Sequence, residues 1–332
     1  MSAIGGSSRW RPVALACSVV ITALLGAGCS IKRMAINRIG DALAESGTTF
    51  ASDDDPELVG EAIPFSLKLI ESLLASAPEH RGLLFAAASG FTQYSYAYVQ
   101  QRADMLEDRD LAQAVAERDR ARRLYLRARD YGLRGLAIGH PRFAERLRAD
   151  RRAAVAETRV RDLPLLYWTA AGWGAAISIS KDRPDLVADL PLVEALIDRA
   201  LELDETFEAG AIHGFLINYE MARPGGRGDP ALRSRLHFER AVALSDGFMA
   251  SYFVSYAEAV CIPTQNRREF ESLLRRALAI DPDRRPEWRL ANLIMQRRAR
   301  WLMSKVEDLF LEEGPGPAAN PPDTLPLGVP WW

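Results

Sequence analysis

Three groups of residues in this 332-residue chain could do chemistry. The first is Cys29, which follows an apolar run from Pro12 to Leu25 and the small residues Gly26-Ala27-Gly28. Arg9 and Arg11 precede the run, and no acidic residue occurs before Asp41. A basic start, a short apolar stretch and a small-residue exit make a secretory signal. A cysteine at that exit makes it a bacterial lipoprotein signal, cleaved before Cys29, whose sulfur is then acylated. Each buried methylene contributes ~0.8 kcal/mol, so several acyl chains would hold the protein firmly to a membrane. Gly26 stands where a strict lipobox has a large aliphatic residue, so the match is to the looser small-residue pattern. An ordinary signal peptide or an uncleaved anchor is the competing reading. Ser30 rather than Asp after the cysteine favours the outer membrane over the inner.

The second group is aromatic. Phe91, Tyr94 and Tyr98 share one helix face by i, i+3, i+7 spacing. In Tyr167-Trp168-Thr169-Ala170-Ala171-Gly172-Trp173-Gly174, Trp168 and Trp173 stand beside residues with almost no side chain, a pattern expected to leave grooves. These rings read either as core packing or as the lining of a binding cavity. The third group is a polar stripe, Arg289, Asn292, Gln296 and Arg300, set between the apolar neighbours Leu290, Leu293 and Trp301. Buried polar groups need partners. The stripe therefore either recognises a ligand carboxylate or pairs with acids on adjacent helices.

Familiar catalytic patterns are missing: there is no Walker loop, no HExxH and no G-x-S-x-G elbow. The glycines at 225–228 lack the lysine and the preceding strand of a phosphate cradle, and read as a connector. The four histidines, His80, His140, His213 and His237, are widely spaced. Cys17 leaves with the signal and Cys29 is acylated, which leaves Cys261 as the mature chain's one thiol, read as a small buried apolar residue. Neither a metal nor another cofactor is expected, and the chain does not read as an enzyme.

Charge is near balance, −2 overall, and moves to −4 when the signal's two arginines are lost (40 bases against 44 acids). It is unevenly spread: residues 109–161 hold 15 arginines and 7 acids, a local +8. That stretch could face an anionic membrane or an acidic partner. With only four lysines in the chain, it could equally be the solvated arginine faces of a protein from a GC-rich genome. Nucleic acid is a poor partner for an exported protein.

The elements that would position these residues are helical almost throughout. Asp55-Pro56-Glu57, Asp229-Pro230 and Arg285-Pro286-Glu287 put proline in a first helical turn, and Ser76-Ala77-Pro78-Glu79 fits a capping box. A first helix is expected directly after the lipid, with Ile31, Met34, Ala35, Ile39, Ala42 and Leu43 in one stripe. Leu196–Asp204, Phe238–Ser245 and Leu274–Pro282 repeat one pattern, with marker alanines Ala200, Ala241 and Ala277 separated by 41 and 36 residues. Ala128 lies 72 residues before Ala200, twice 36. These spacings approximate the ~34-residue tetratricopeptide (TPR) period with insertions. Small residues at the markers let paired helices approach, and stacked pairs bury one continuous core. The fold expected is all-α, a TPR-like helical repeat solenoid of paired antiparallel helices. The chain divides into a signal peptide (1–28), a helical domain (29–313) and a Pro-rich, disordered tail (314–332).

Several segments resemble the TRAP transporter T-component (TatT) lipoproteins. They are Ser30–Asn37, Phe50–Val59, Ser76–Leu84, Gly90–Tyr94 and Arg289–Leu302, and the likeness covers about residues 29 to 313. The resemblance implies a periplasm-facing lipoprotein of helical repeats, a homotrimer with a pore or cavity in each protomer. It implies as partner the periplasmic substrate-binding P-component of a TRAP transporter, and a small organic or apolar ligand. Carried over position by position, Phe91, Tyr94, Trp168, Trp173, Asn292 and Arg300 become candidates for cavity lining, with Tyr98, Arg289 and Gln296 beside them. Two other classes compete. A scaffold for envelope assembly needs an open concave face without an enclosed cavity. A helical hydrolase of envelope polymers needs a cleft with two carboxylates ~5–10 Å apart.

Overall fold

Short polar side chains set where the helices begin. Asp55 accepts from the backbone N–H groups of Glu57 (3.1 Å) and Leu58 (3.0 Å). Pro56 occupies the first turn, where a missing N–H costs nothing. Asp229 caps in the same way, accepting from Ala231 N–H at 2.9 Å ahead of Pro230. The capping box expected at Ser76–Glu79 does not form. Ser76 is the last residue of its helix, the chain turns through Ala77–His80, and the next helix begins too late for either side chain to serve it. His80 is its cap, with Nδ1 accepting from Leu83 N–H at 3.2 Å.

The computed structural model describes residues 47–311. Cys29, the signal peptide, the helix expected from Ile31 and the tail from Gly314 lie outside the described residues. Within them the order is α1 (Gly47–Ala51), α2 (Pro56–Ser76), α3 (Arg81–Tyr94), a π-helical segment (Ser95–Gln100) and α4 (Gln101–Leu106). Then come α5 (Leu111–Gly139), α6 (Phe143–Ala149), α7 (Arg151–Ala156), α8 (Leu163–Ser178), α9 (Pro184–Val187) and α10 (Leu190–Leu203). The chain continues with α11 (Ala211–Tyr219), α12 (Pro230–Leu244), α13 (Ala250–Tyr256), a second π segment (Ala257–Cys261), α14 (Arg267–Leu278), α15 (Arg289–Met303) and α16 (Val306–Leu309). No strand occurs among the described residues.

The fold is all-α and repetitive. One layer holds α3, α8, α11, α13 and α15; the other holds α5, α10, α12 and α14, each straddling two helices of the first layer. The marker alanines explain the spacing. Ala128, Ala200, Ala241 and Ala277 all lie on the straddling helices, and all are fully buried. Close approach there is tight enough that a Cβ on Gly172 of α8 would sit 3.3 Å from Cβ of Ala128. The core is continuous in kind but forms three clusters along the row, centred on Tyr125, on Trp173 and on Tyr256 with Phe270. Cys261 is buried in the last of these, and burial pushes its thiol up to about 12.

The two ends of the row meet. Helix α15 packs on α1 and α2, and Arg289 donates to Ser52 O at 2.8 Å. Arg297 pairs with Glu57 (3.1 Å), and Gln101 donates to the Met295 sulfur (3.8 Å). Tyr96 packs against both the first and the last core cluster.

Candidate functional site

The join between the two ends is built around a buried charge. Arg298, only 7% exposed, reaches Glu258 through two hydrogen bonds (2.8 and 2.6 Å) and Asp104 through a third (3.0 Å). Glu258 comes from the second π segment and Asp104 from α4. Burial works against the charged guanidinium, but Glu258, Tyr96 and Asp104 more than offset it, so its pKa rises. Burial pushes the neighbouring Tyr96 hydroxyl up to about 12, and Tyr96 itself belongs to the first π segment. Tyr125 donates to Gln100 of that segment at 2.7 Å. Both π segments thus lie beside the polar join, as such insertions commonly do at functional sites.

A second feature is the turn before α11. Glu208 (φ +43°), Ala209 (φ +53°) and Gly210 (φ +94°) are all left-handed in succession. Non-glycine residues pay for that conformation, and such strain collects at functional positions. Tyr252 holds the turn by donating to Ala209 O at 3.0 Å. The Glu208 side chain keeps an exposed surface, yet burial pushes its carboxyl up to about 7, with the Trp168 indole N–H pulling the other way. That N–H is itself buried without an acceptor at full hydrogen-bond distance. The aromatic residues close enough to feel the Glu208 charge are Tyr167, Trp168 and Tyr252. Tyr167 and Trp168 meet edge to face at 5.0 Å, and Tyr167 leans on Phe207 at 5.4 Å. An ionisable carboxyl among rings, with the indole N–H turned toward it, can hold a largely apolar molecule by contact and orient one polar group on it through the carboxyl.

A histidine pair adjoins the same turn. His213 Nδ1 and His237 Nδ1 are 2.8 Å apart, and His213 Nε2 lies 3.2 Å from Glu205, which also pairs with Arg240. Burial lowers both imidazoles, His237 to about 4, helped by the His213 charge.

The residues expected to line a cavity are distributed over several places. Phe91 and Tyr94 are buried, Phe91 stacked on Tyr131 (6.0 Å) and Tyr94 on Tyr98 (5.7 Å). Tyr98 lies against Gly60, where a Cβ would come within 2.5 Å of its ring; its hydroxyl is buried without a partner and pushed up to about 12 by burial. Trp173 is a core residue at 1% exposure, with Arg129 and Arg148 over its ring. Trp168 is partly open beside Glu208. The small residues of this segment do not leave grooves: Gly172 and Gly174 let Thr92, Ala128 and Phe215 approach, so neighbouring helices fill the space.

The polar stripe serves the fold. Asn292 accepts from Ala250 N–H and donates to Phe248 O, both at 2.9 Å. Gln296 donates to Ile280 O (2.7 Å) and Ala277 O (3.1 Å). Arg289 pairs with Asp283 at 2.7 Å, and Arg300 is exposed. Arg298, Glu258, Glu208, Tyr96 and Tyr252 lie outside the aromatic and polar patterns that the sequence displays. A strained turn and a π segment leave no spacing pattern, so only Arg298, an arginine on the apolar side of an amphipathic helix, carried a visible sign.

No group of three or more His, Cys, Asp or Glu residues suited to a metal occurs among the described residues, and none of their helices is long and apolar enough to cross a membrane. The chain matches the TRAP transporter T-component family over residues 52–310. The chain belongs to that family. A protein of Treponema pallidum (strain Nichols), described as uncharacterized, is 31% identical over 319 residues, 90% of this chain and 98% of the relative. T-components are accessory proteins of TRAP transporters and not an enzyme family. In this T-component the matched span runs from the loop before α2 to the residue after α16, so it includes the join at Arg298 and the Glu208 turn.

Proposed function

We propose that this T-component is a lipid-anchored, periplasm-facing accessory that docks the substrate-binding P-component of its transporter and helps deliver a small organic or apolar ligand. The family match over the whole described repeat fold carries this reading. The partly open Tyr167 and Trp168, grouped with the exposed Glu208, support the ligand half of it. Cys29 is the proposed acylation site, in the outer membrane by the Ser30 criterion, and the assembly proposed is a homotrimer. An envelope scaffold is the second reading, favoured by the repeat architecture alone.

Mass spectrometry of ligands retained by the protein purified from its native membranes tests the delivery reading. A retained small molecule, released or weakened by Trp168→Ala, is the expected result. A preparation that never carries or takes up an organic ligand refutes delivery. Membrane partitioning that survives Cys29→Ala overturns the anchor.

A further inference from the structure

The outer face of α5 carries arginines that neither the polar join nor the Glu208 turn uses. Arg120, Arg127 and Arg134 recur every seven residues, two helical turns. They stand in line along about 21 Å of helix at 1.5 Å per residue. All three are exposed, as is Arg123 between them. Each member of the line lies over an aromatic ring: Arg120 over Tyr94 (5.9 Å), Arg127 over Phe91 (5.4 Å) and Arg134 over Tyr131 (5.3 Å). The rings beneath are themselves fixed, Phe91 by stacking on Tyr131 and Tyr94 by stacking on Tyr98. Guanidiniums held over rings lose little further freedom when they bind, and their planar forks match carboxylates two bonds at a time.

The chain's own acids leave much of this donor capacity unspent. Arg120 meets Glu117 at 3.3 Å through one nitrogen and donates to the Tyr94 hydroxyl at 3.3 Å through another, and Arg127 meets Glu71 at 3.4 Å through one nitrogen of a group with five N–H donors. Arg134 donates to Pro78 O at 3.2 Å, and Asp130 is taken by Arg129 at 2.8 Å. Arg123 makes no ion pair or hydrogen bond among the described residues. In the lower part of the line Arg123, Leu126, Arg127, Asp130, Tyr131 and Arg134 border a shallow, open depression of about 410 Å³ on the helix face. A bilayer surface would meet a row of cations on a plane. The partly exposed Leu126 and Tyr131 between the cations give a mixed apolar and cationic face, which suits the side chains of a protein helix.

We propose that this face docks an acidic helix of the protein partner, whose carboxylates recur every seven residues to meet Arg120, Arg127 and Arg134, with a further one meeting Arg123. The inference specifies the contact surface of the docking reading above and rests on it. The complementarity predicts steep salt dependence, since exposed charges a Debye length apart are screened.

The test places the full acylated chain in phosphatidylcholine nanodiscs and titrates three probes at low salt. These are the substrate-binding protein of the same transporter, a synthetic helix with glutamates at seven-residue spacing, and vesicles containing one-third phosphatidylglycerol. Arg123→Glu should weaken the substrate-binding protein about tenfold and Arg123→Glu/Arg134→Glu about a hundredfold. Arg152→Glu, an exposed arginine of α7, is the charge-matched control and should change it less than twofold. Loss of less than twofold in the double variant overturns the assignment of this face while leaving docking elsewhere intact. If the substrate-binding protein does not bind the unmodified chain, the docking reading fails, and the synthetic helix decides that assignment by itself. Binding abolished by the double variant then upholds it, and no binding overturns it. A double variant that loses only vesicle binding reassigns the face to the membrane and overturns the proposal.

Discussion

Arg298→Met tests how far the fold depends on the join between its two ends. The Arg298 side chain is 8% exposed, and those of the two acids it serves, Glu258 and Asp104, are 22% and 18% exposed. Removing one partner of a buried ion pair costs ~3–5 kcal/mol because charge is left uncompensated. Here the abandoned carboxylates keep some access to water, which places the cost at the low end, ~3 kcal/mol. A domain of this size shifts its melting temperature by roughly 2 °C per kcal/mol, so the variant should melt at least ~6 °C lower. Urea unfolding at pH 7 measures the free energy directly, and circular dichroism measures the melt. Adding Glu258→Gln and Asp104→Asn removes the stranded charges and should recover more than half of the loss. A single-variant cost below ~1 kcal/mol, or no recovery in the triple variant, would refute the reasoning, because either result means the join bears little of the fold's stability.

Three further outcomes follow from the geometry. Gly132→Ala places a Cβ 2.1 Å from Thr169 Oγ1 on a fully buried, β-branched side chain that cannot swing away, so urea unfolding should show a loss of ~2 kcal/mol. Pairing it with Thr169→Ala should return most of that loss. The His213–His237 pair is neutral in the fold, with His237 at about 4 against an unfolded value near 6.5. Its stabilisation is therefore complete above pH ~6.5 and lost as pH falls toward 4, worth ~1 kcal/mol once solvent screening of the partly exposed His237 is allowed for. The unfolding midpoint should fall more between pH 7 and 5 in the parent than in a His213→Leu/His237→Leu variant. Glu208 works in the opposite direction: a carboxyl raised from 4.5 to about 7 contributes stability that is fully present below pH ~4.5 and is lost as pH rises from there through about 7. Glu208→Gln should be near neutral at pH 5 and stabilising at pH 8, read from the same urea midpoints.

The repeat was legible because close helix approach demands a small residue at a fixed place in each unit, and Ala128, Ala200, Ala241 and Ala277 are those residues. Asp55 and Asp229 were legible as caps because capping is local, within three residues. The join was not, since Gln101 and Met295, or Asp104 and Arg298, meet across nearly two hundred positions, and no local pattern encodes that. The stripe at Asn292 and Gln296 shows the other limit. Its spacing correctly marks buried amides, but the same spacing satisfies backbone carbonyls of a loop as readily as a ligand, and here it serves Phe248 and Ile280. The aromatic face at Phe91 and Tyr94 was visible as a periodicity, whereas the arginines lying over it come from α5, another helix.

Capture from native membranes addresses the central claim most directly. The chain, tagged after residue 332 and extracted from its own host without overexpression, is cross-linked in intact cells, and the captured periplasmic proteins are quantified by mass spectrometry. The account predicts that the TRAP substrate-binding subunit is enriched at least tenfold over unrelated periplasmic binding proteins, and that Arg123→Glu/Arg134→Glu removes the enrichment. Equal recovery of all periplasmic binding proteins, or capture of envelope-assembly factors in place of the TRAP subunit, would contradict it.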